Sequence, residues 1–333
     1  MTEVLADGFG RVVRDLRVSI TDRCNFRCTY CMPAEGMVWQ ERSELLSFEE
    51  IERVVGIFVR RFGVTGVRLT GGEPTVRAHL PLLVAKLAKL DPRPELALTT
   101  NGATLGLVAA DLRQAGLDRL NISCDSLRAD RFAEITKRDA LDRVLDGIAA
   151  AKEAGFPVKL NCVLMRGVNE DEIVDFATFG RTAGVSVRFI EFMPLDAQGA
   201  WTADRVVPSS EVLERIAAAY PIEAVAHGPE PAARFRYVDG GAAPGGEEVG
   251  VIASVTQPFC GDCDRVRMTA DGQFFTCLFA LDGHDVRAVL RRGGSDDEVA
   301  EILRSAVGAK WAGHQIGRVT FVRPPRSMSQ IGG

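Results

Sequence analysis

The sequence predicts an α/β fold of six strand–helix units, arranged as an incomplete barrel or an open doubly wound sheet. Three observations predict it. Short β-like runs alternate with helical patterns, which indicates a parallel sheet with helical crossovers. The residues just past each run are glycines, cysteines and small polar groups. Inside the runs, polar residues recur two apart.

The runs are 16–20, 66–69, 96–99, 119–123, 158–163 and 186–192. The first helix opens at Ser47, with Glu50 three residues on, a pairing in which each side chain satisfies the other's orphan amide. Ile51, Val54, Val55 and Phe58 then recur at helical spacing. Further helices are expected over 78–90, 104–115, 141–154 and 170–183, with a short extra one over 129–138. Past the strand ends come TDRCNFRCTYC, TGGEP, TNG, CDS, LMRGVN and EFMP. Chemistry-bearing residues therefore gather at one end of the sheet, where such folds place their sites.

Within the runs, Arg17 and Ser19, Arg68 and Thr70, Asn121 and Ser123, and Lys159 and Asn161 each share a strand face, and Arg188 stands alone among apolar neighbours. A buried parallel strand should read continuously apolar. One face of the sheet is thus expected to line a polar lumen; an exposed sheet edge is the alternative. The stretch 226–248, rich in Gly, Pro and Ala, breaks all periodicity and is expected to be a loop-rich connection. It divides the chain into a barrel over 1–225 and a C-terminal region over 226–333, which begins with a strand-like run at 249–255.

The net charge of −5 spread over 333 residues gives no global basic field for nucleic acid or an anionic membrane. No apolar stretch approaches the length that crosses a bilayer, so a cytoplasmic location is the expectation. In that compartment grouped cysteines are metal ligands rather than disulfides. Six of the eight form two groups, Cys24, Cys28, Cys31 and Cys260, Cys263, Cys277, while Cys124 and Cys162 sit alone in apolar runs and are expected to be buried.

The spacing Cys24-x3-Cys28-x2-Cys31 directly after a strand lets one loop wrap three thiolates round a [4Fe–4S] cube, leaving one iron open to a small molecule. Zinc is the alternative, but structural zinc takes four ligands and no histidine lies nearby. For Cys260-x2-Cys263-x13-Cys277 a zinc knuckle completed by His284 remains open beside a second [4Fe–4S] cluster.

The cysteine loop after the first strand and Gly71-Gly72-Glu73-Pro74 after the second resemble the radical S-adenosylmethionine superfamily. LRVSITDRCNFRCTYCMP, VRLTGGEPTVR, LTTNG, RFIEFMP, FCGDCDRVRMTADGQFFTCLF and the terminal Ile331-Gly332-Gly333 resemble one family within it, the GTP 3′,8-cyclases of molybdenum-cofactor biosynthesis, over nearly the whole chain. The resemblance implies a (βα)6 partial barrel closed by a C-terminal iron–sulfur region. It also implies two [4Fe–4S] clusters, S-adenosylmethionine cleavage, and GTP cyclised in the first step toward molybdopterin. Tyr30, Gly72, Ser123 and Met193 would hold S-adenosylmethionine. Arg17, Arg68, Thr99, Lys159, Arg265 and Arg267 would hold GTP, with Arg188 a further phosphate contact, and Gly332 and Gly333 would enter the site. A low-potential donor of flavodoxin or ferredoxin type, a homodimer and the next enzyme of the pathway are the implied partners. The rivals are a peptide-modifying radical enzyme, a two-cluster electron carrier and a zinc-structured binding module. None of them explains arginines placed along a lumen.

Overall fold

The computed structural model describes residues 2–33, 37–196, 199–226, 228 and 230–332. The six expected strands form within a residue of their expected bounds: Asp15–Ser19 (β1), Gly66–Thr70 (β2), Glu95–Thr100 (β3), Arg119–Ser123 (β4), Val158–Leu164 (β5) and Ser186–Glu191 (β6). They pair in parallel in chain order, with Arg17 beside Arg68, Thr99 beside Asn121, and Asn161 beside Arg188. The helices between them are Phe48–Phe62 (α1), Leu80–Ala88 (α2), Leu105–Gln114 (α3), Ala129–Thr136 (α4), Leu141–Glu153 (α5) and Ile173–Ala183 (α6). Helix α1 starts where the sequence places it. Ser47 Oγ accepts from the Glu50 amide at 3.1 Å, and Glu50 accepts from the Ser47 amide at 2.7 Å. It stops at Gly63, whose φ of 66° turns the chain left-handed, a conformation that a Cβ disfavours.

Leu16, Val18, Leu69, Leu98, Leu120, Ile122, Leu160 and Phe189 are buried in the same core as Val54, Phe58, Leu83, Leu112, Val144 and Phe176 of the helices. Each such side chain contributes about 1.5–3 kcal/mol by leaving water. Cys124 and Cys162 belong to this core, as their apolar settings indicated.

After β6 the chain departs from the expectation of a loop-rich connection. A helix, Ser209–Ala219 (α7), and a short strand, Ile222–Ala224 (β7), come first. Inside the stretch expected to be loop, Ala233–Tyr237 (β8) pairs antiparallel with Glu248–Ile252 (β9). Strand β8 carries Arg234 and Arg236 and is mostly only half-buried, so it lacks the apolar signal of a central strand. Strand β9 pairs in parallel with β6. Arg265–Met268 (β10) pairs in parallel with β1, placing Arg267 beside Arg17. Gln273–Phe275 (β11) and His284–Asp285 (β12) continue that edge. The order β12-β11-β10-β1-β2-β3-β4-β5-β6-β9-β8-β7 is an unclosed sheet, a partial barrel whose flanks both come from the chain after β6. Val286–Arg291 (α8), Asp296–Gly308 (α9) and Met328–Ile331 (α10) follow. Among the described residues no helix is long and apolar enough to cross a membrane.

Candidate active site

The loop after β1 carries the first three cysteines in a tight turn. The Cys28 carbonyl accepts from the amides of Cys31 at 2.9 Å and Met32 at 3.0 Å. Gly72 and the cysteine loop fit together backbone to backbone. The Gly72 amide donates to the Thr21 carbonyl at 2.8 Å, and a Cβ on Gly72 would lie 2.3 Å from the Arg23 carbonyl oxygen and 2.5 Å from that of Asp22. The resemblance assigns Gly72 to S-adenosylmethionine; in the structure the close approach that forbids a side chain there is to the cysteine loop itself.

Buried carboxylates brace the strand ends: Glu73 of TGGEP, Asp125 of CDS and Glu191 of EFMP. Glu73 accepts from the Thr100 hydroxyl at 2.6 Å, the Asn101 amide at 2.6 Å and the Thr75 amide at 3.0 Å, tying the end of β2 to that of β3. Burial outweighs those bonds and pushes its carboxyl upward. Asp125 accepts from the Tyr30 hydroxyl at 2.7 Å and the Val163 amide at 2.8 Å, and burial pushes it up to about 6. Glu191 accepts from the amides of Ser209, Val255 and Thr256, which anchors the loop after β9. The sequence marks each of these acids as lying just past or at a strand end, but not the distant groups that it braces.

The second cysteine set lies across the lumen. Cys260–Asp262 forms a single tight turn, and the loop is held from outside by two cations. Arg11 donates to the carbonyls of Cys260 at 2.5 Å, Ala312 at 2.7 Å and Trp311 at 2.5 Å, with Asp7 on its Nε at 2.6 Å. Lys310 donates to the carbonyls of Cys263 at 2.9 Å and Arg265 at 3.0 Å. His284 stands exposed on β12, and the histidine near the second set is His314, whose Nε2 donates to the Ser254 carbonyl at 2.8 Å and whose ring lies tilted at 5.0 Å from that of Phe279. Among the described residues no three His, Cys, Asp or Glu side chains converge as a single metal ion would need. Thiolates on a four-iron cube each take a different iron, and so stand further apart than ligands of one zinc.

The six thiols differ in electrostatic setting. Burial pushes Cys24 up to about 11, Cys31 up to about 12 and Cys28 well above the ordinary thiol range. At Cys263 burial also pushes upward, but Arg265 and Lys310 outweigh it and hold the thiol below its usual value. Buried thiols of the first kind ionise only against a cation, which a bound iron–sulfur cluster supplies.

One cavity of ≈ 280 Å³ is walled by all six cysteines, and Arg17, Arg68, Thr99, Arg188, Arg265 and Arg267 line it as well. Tyr30, Gly72, Ser123 and Met193 lie on the same wall. Lys159 is the exception. It pairs between Asn121 and Ser186 in the sheet, off the cavity wall, yet close enough to feel Arg188, Arg119 and Arg68. Burial, with repulsion from those arginines, pushes its ammonium down to about 8. Burial likewise pushes Arg188 and Arg267 down to about 10. Few acids offset this charge: Asp15 lies 3.5 Å from Arg68 and Asp264 lies 3.9 Å from Arg265. The Nε atoms of Arg17, Arg68 and Arg265, both amide atoms of Asn121, Asn161 Oδ1 and Ser19 Oγ are buried without a hydrogen-bond partner among the described residues. Such groups are costly unless something polar meets them, so the donor set fits an anionic, hydrogen-bonding ligand.

The C-terminus reaches into this site. Ser329 of α10 approaches the Cys31 thiol, and Arg267 donates to the carbonyls of Gly332 and Ile331. Gly332 has φ 75°, and a Cβ there would lie 2.5 Å from Ser19 Oγ and 2.9 Å from Thr70 Cγ2. Gly333 lies outside the described residues.

Comparison with known proteins agrees with this architecture. Residues 18–180 match the model of the Radical SAM superfamily, and 185–316 that of Molybdenum Cofactor Synthesis C. A GTP 3′,8-cyclase of Streptomyces coelicolor is 49% identical over 99% of this chain and 96% of its own length. A GTP 3′,8-cyclase of Mycobacterium sp. (strain KMS) is 49% identical over 100% of this chain and 94% of its own. The crystal structure of Streptococcus suis SuiB bound to S-adenosylmethionine shares the fold at 13% identity, with a TM-score of 0.57 over 84% of this chain and 64% of that one. With two cysteine sets on one cavity and full-length relatives at this identity, the chain belongs to the GTP 3′,8-cyclase family of the radical S-adenosylmethionine superfamily.

Proposed function

We propose that the chain cyclises GTP to (8S)-3′,8-cyclo-7,8-dihydroguanosine 5′-triphosphate in a radical S-adenosylmethionine-dependent reaction, the first step of molybdopterin biosynthesis. The observation that carries this reading is one cavity walled by both cysteine sets and by arginines from β1, β2, β6 and β10. Cys24, Cys28 and Cys31 would hold one [4Fe–4S] cluster, at which S-adenosylmethionine would bind. Cys260, Cys263 and Cys277 would hold a second, at the guanine end of the cavity. When bound, the first cluster and S-adenosylmethionine supply the one-electron chemistry that takes a hydrogen from C3′ of the ribose and lets that carbon bond C8 of guanine.

The protein's own part is positioning. Tyr30, Gly72, Ser123 and Met193 hold S-adenosylmethionine, with Tyr30 fixed by Asp125. Arg17, Arg68, Arg188, Arg265 and Arg267 neutralise a triphosphate of about four negative charges, their forked guanidinium groups matching its oxygens. Thr99 adds a hydroxyl, and Lys159 adds charge from behind the wall. Arg267 also holds the tail through the Gly332 carbonyl. The reading brings with it a low-potential donor of flavodoxin or ferredoxin type, a homodimer in the cytoplasm, and hand-over of product to the next enzyme of the pathway. Anaerobic turnover of GTP deuterated at C3′ tests it: the label should appear in 5′-deoxyadenosine, and ATP should not be cyclised. Absence of label transfer, or equal use of ATP, overturns the assignment.

The depressed ammonium of Lys159 gives this reading a pH signature. Without ligand Lys159 is mostly protonated at pH 7 and loses its proton through about pH 8. A bound triphosphate favours the charged form, so binding takes up a proton above pH 8 and weakens as pH rises. If the bound ammonium returns to its ordinary range, affinity falls on the order of tenfold between pH 7.5 and 9. Calorimetry in two buffers of different ionisation enthalpy should register the uptake, and Lys159→Met should abolish it. Buffer-independent heats at pH 8.5 would remove Lys159 from the phosphate-sensing set.

A further inference from the structure

The two cysteine sets sit in surroundings of opposite charge. Near the first set are two buried carboxylates, Glu73 and Asp125, whose charges act on Cys24 and Cys28. Two cations hold the carbonyls of this loop: Arg27 donates to those of Cys24 and Phe26 at 2.7 Å each, and Arg138 to that of Asn25 at 3.0 Å. Among the described residues the sulfur of Cys24 receives only neutral donors, the Phe26 amide at 3.4 Å and the Asn101 amide nitrogen at 4.0 Å. Near the second set the balance reverses. Arg265 Nη2 lies 3.6 Å from Cys263 Sγ, Lys310 Nζ lies 3.8 Å from the same sulfur, and Arg267 acts on Cys277. The acids in that neighbourhood are Asp262, inside the cysteine loop itself, and Asp264, 3.9 Å from Arg265.

Lys310 is the member of this group that the substrate reading does not use. It is 5% exposed and has no carboxylate within 4 Å among the described residues, although its charge reaches Asp264. Its ammonium instead spends its donors on the carbonyls of Cys263 and Arg265 and on the Cys263 sulfur. An ammonium is costly to bury without a counter-charge, so a buried one facing a thiolate ligand indicates that negative charge gathers there. Hydrogen bonds and positive charge at a ligating sulfur draw electron density from the iron and favour the reduced cluster.

We infer that Lys310 is a positioning and potential-setting residue for the second cluster, and that the second cluster is therefore reduced more readily than the first. The inference rests on the proposal that Cys260, Cys263 and Cys277 hold a [4Fe–4S] cluster. Each cluster takes one electron, from the 2+ to the 1+ state, and no bond forms or breaks. Lys310 holds the carbonyls on either side of Asp264 in place and lowers the cost of the added negative charge. Without S-adenosylmethionine or GTP, the first electron delivered settles at the guanine end of the cavity.

Anaerobic redox titration with dithionite, followed by electron paramagnetic resonance, tests this. Cys28→Ser and Cys263→Ser supply the reference spectrum of each cluster alone. In the wild-type protein the second cluster's signal should grow in first. Lys310→Met should make that cluster harder to reduce, by about tenfold in the reduced-to-oxidised ratio, which is about 59 mV for one electron. The first cluster should not move, and Lys310→Arg should restore most of the shift. The inference is overturned if the first cluster reduces first, if Lys310→Met moves both clusters equally, or if it moves neither. If Lys310→Met fails to retain the second cluster, the order of reduction in the wild-type protein still decides the point. A wild-type protein holding iron for one cluster alone would instead overturn the two-cluster reading, a separate outcome read from iron content before any titration.

Discussion

Replacing Cys28 by serine should abolish S-adenosylmethionine cleavage and remove about half the iron, whereas Cys263→Ser should remove the other half and leave some uncoupled cleavage with no cyclised product. The two cysteine sets share a cavity but no backbone: the first follows β1, and in the second Cys260 and Cys263 precede β10 while Cys277 follows β11. Each set provides three thiolates, so losing one leaves two ligands for a cube that needs three from the protein. The first loop's turn is closed by the Cys31 and Met32 amides on the Cys28 carbonyl, which serine preserves, so the loss is one of ligation rather than folding. Cys124→Ala and Cys162→Ala are the controls. Both thiols are buried in the core, Cys124 donating to the Ser126 carbonyl at 3.2 Å, and neither change should alter the iron count. Iron and sulfide analysis with quantitation of 5′-deoxyadenosine checks all four. Stoichiometric zinc after anaerobic purification, or cyclised product from Cys263→Ser, would contradict the separate roles.

Replacing Gly332 by valine should lower turnover on the order of 10²-fold, the scale that a misplacement of about 1 Å costs at a reacting centre, while leaving thermal stability unchanged. Its φ of 75° disfavours any β-branched residue, and the added Cβ would meet Ser19 Oγ and Thr70 Cγ2 on the ends of β1 and β2. The tail would then withdraw its carbonyl from Arg267, freeing a guanidinium that the substrate site shares. A terminus contributes little to global folding, so the melting temperature should stay put. Iron content and S-adenosylmethionine binding should also be retained, since neither cysteine set depends on residue 332. Wild-type turnover by Gly332→Val would make the tail a passenger.

The six parallel strands, their helices, both cysteine sets and the lumen-facing arginines were legible in the sequence, because each depends on local spacing. Period-two polarity marked the faces of Arg17 and Arg68, an isolated cation in an apolar run marked Arg188, and Cys24-x3-Cys28-x2-Cys31 is one continuous loop. Lys159 shows the limit of that logic: its face was readable, but its depth in the sheet was not, since depth depends on the stagger between neighbouring strands. What only the tertiary structure decided is how distant segments meet. The lateral addition of β10 to β1 and β9 to β6, the Glu73 bridge from β2 to β3, and the Arg11 and Lys310 contacts with the second cysteine loop join residues up to 250 positions apart. A buried Glu, Arg or Lys carries the same side chain as an exposed one. Its partner is chosen by the desolvation cost of burial, which exists only once the chain has folded around it.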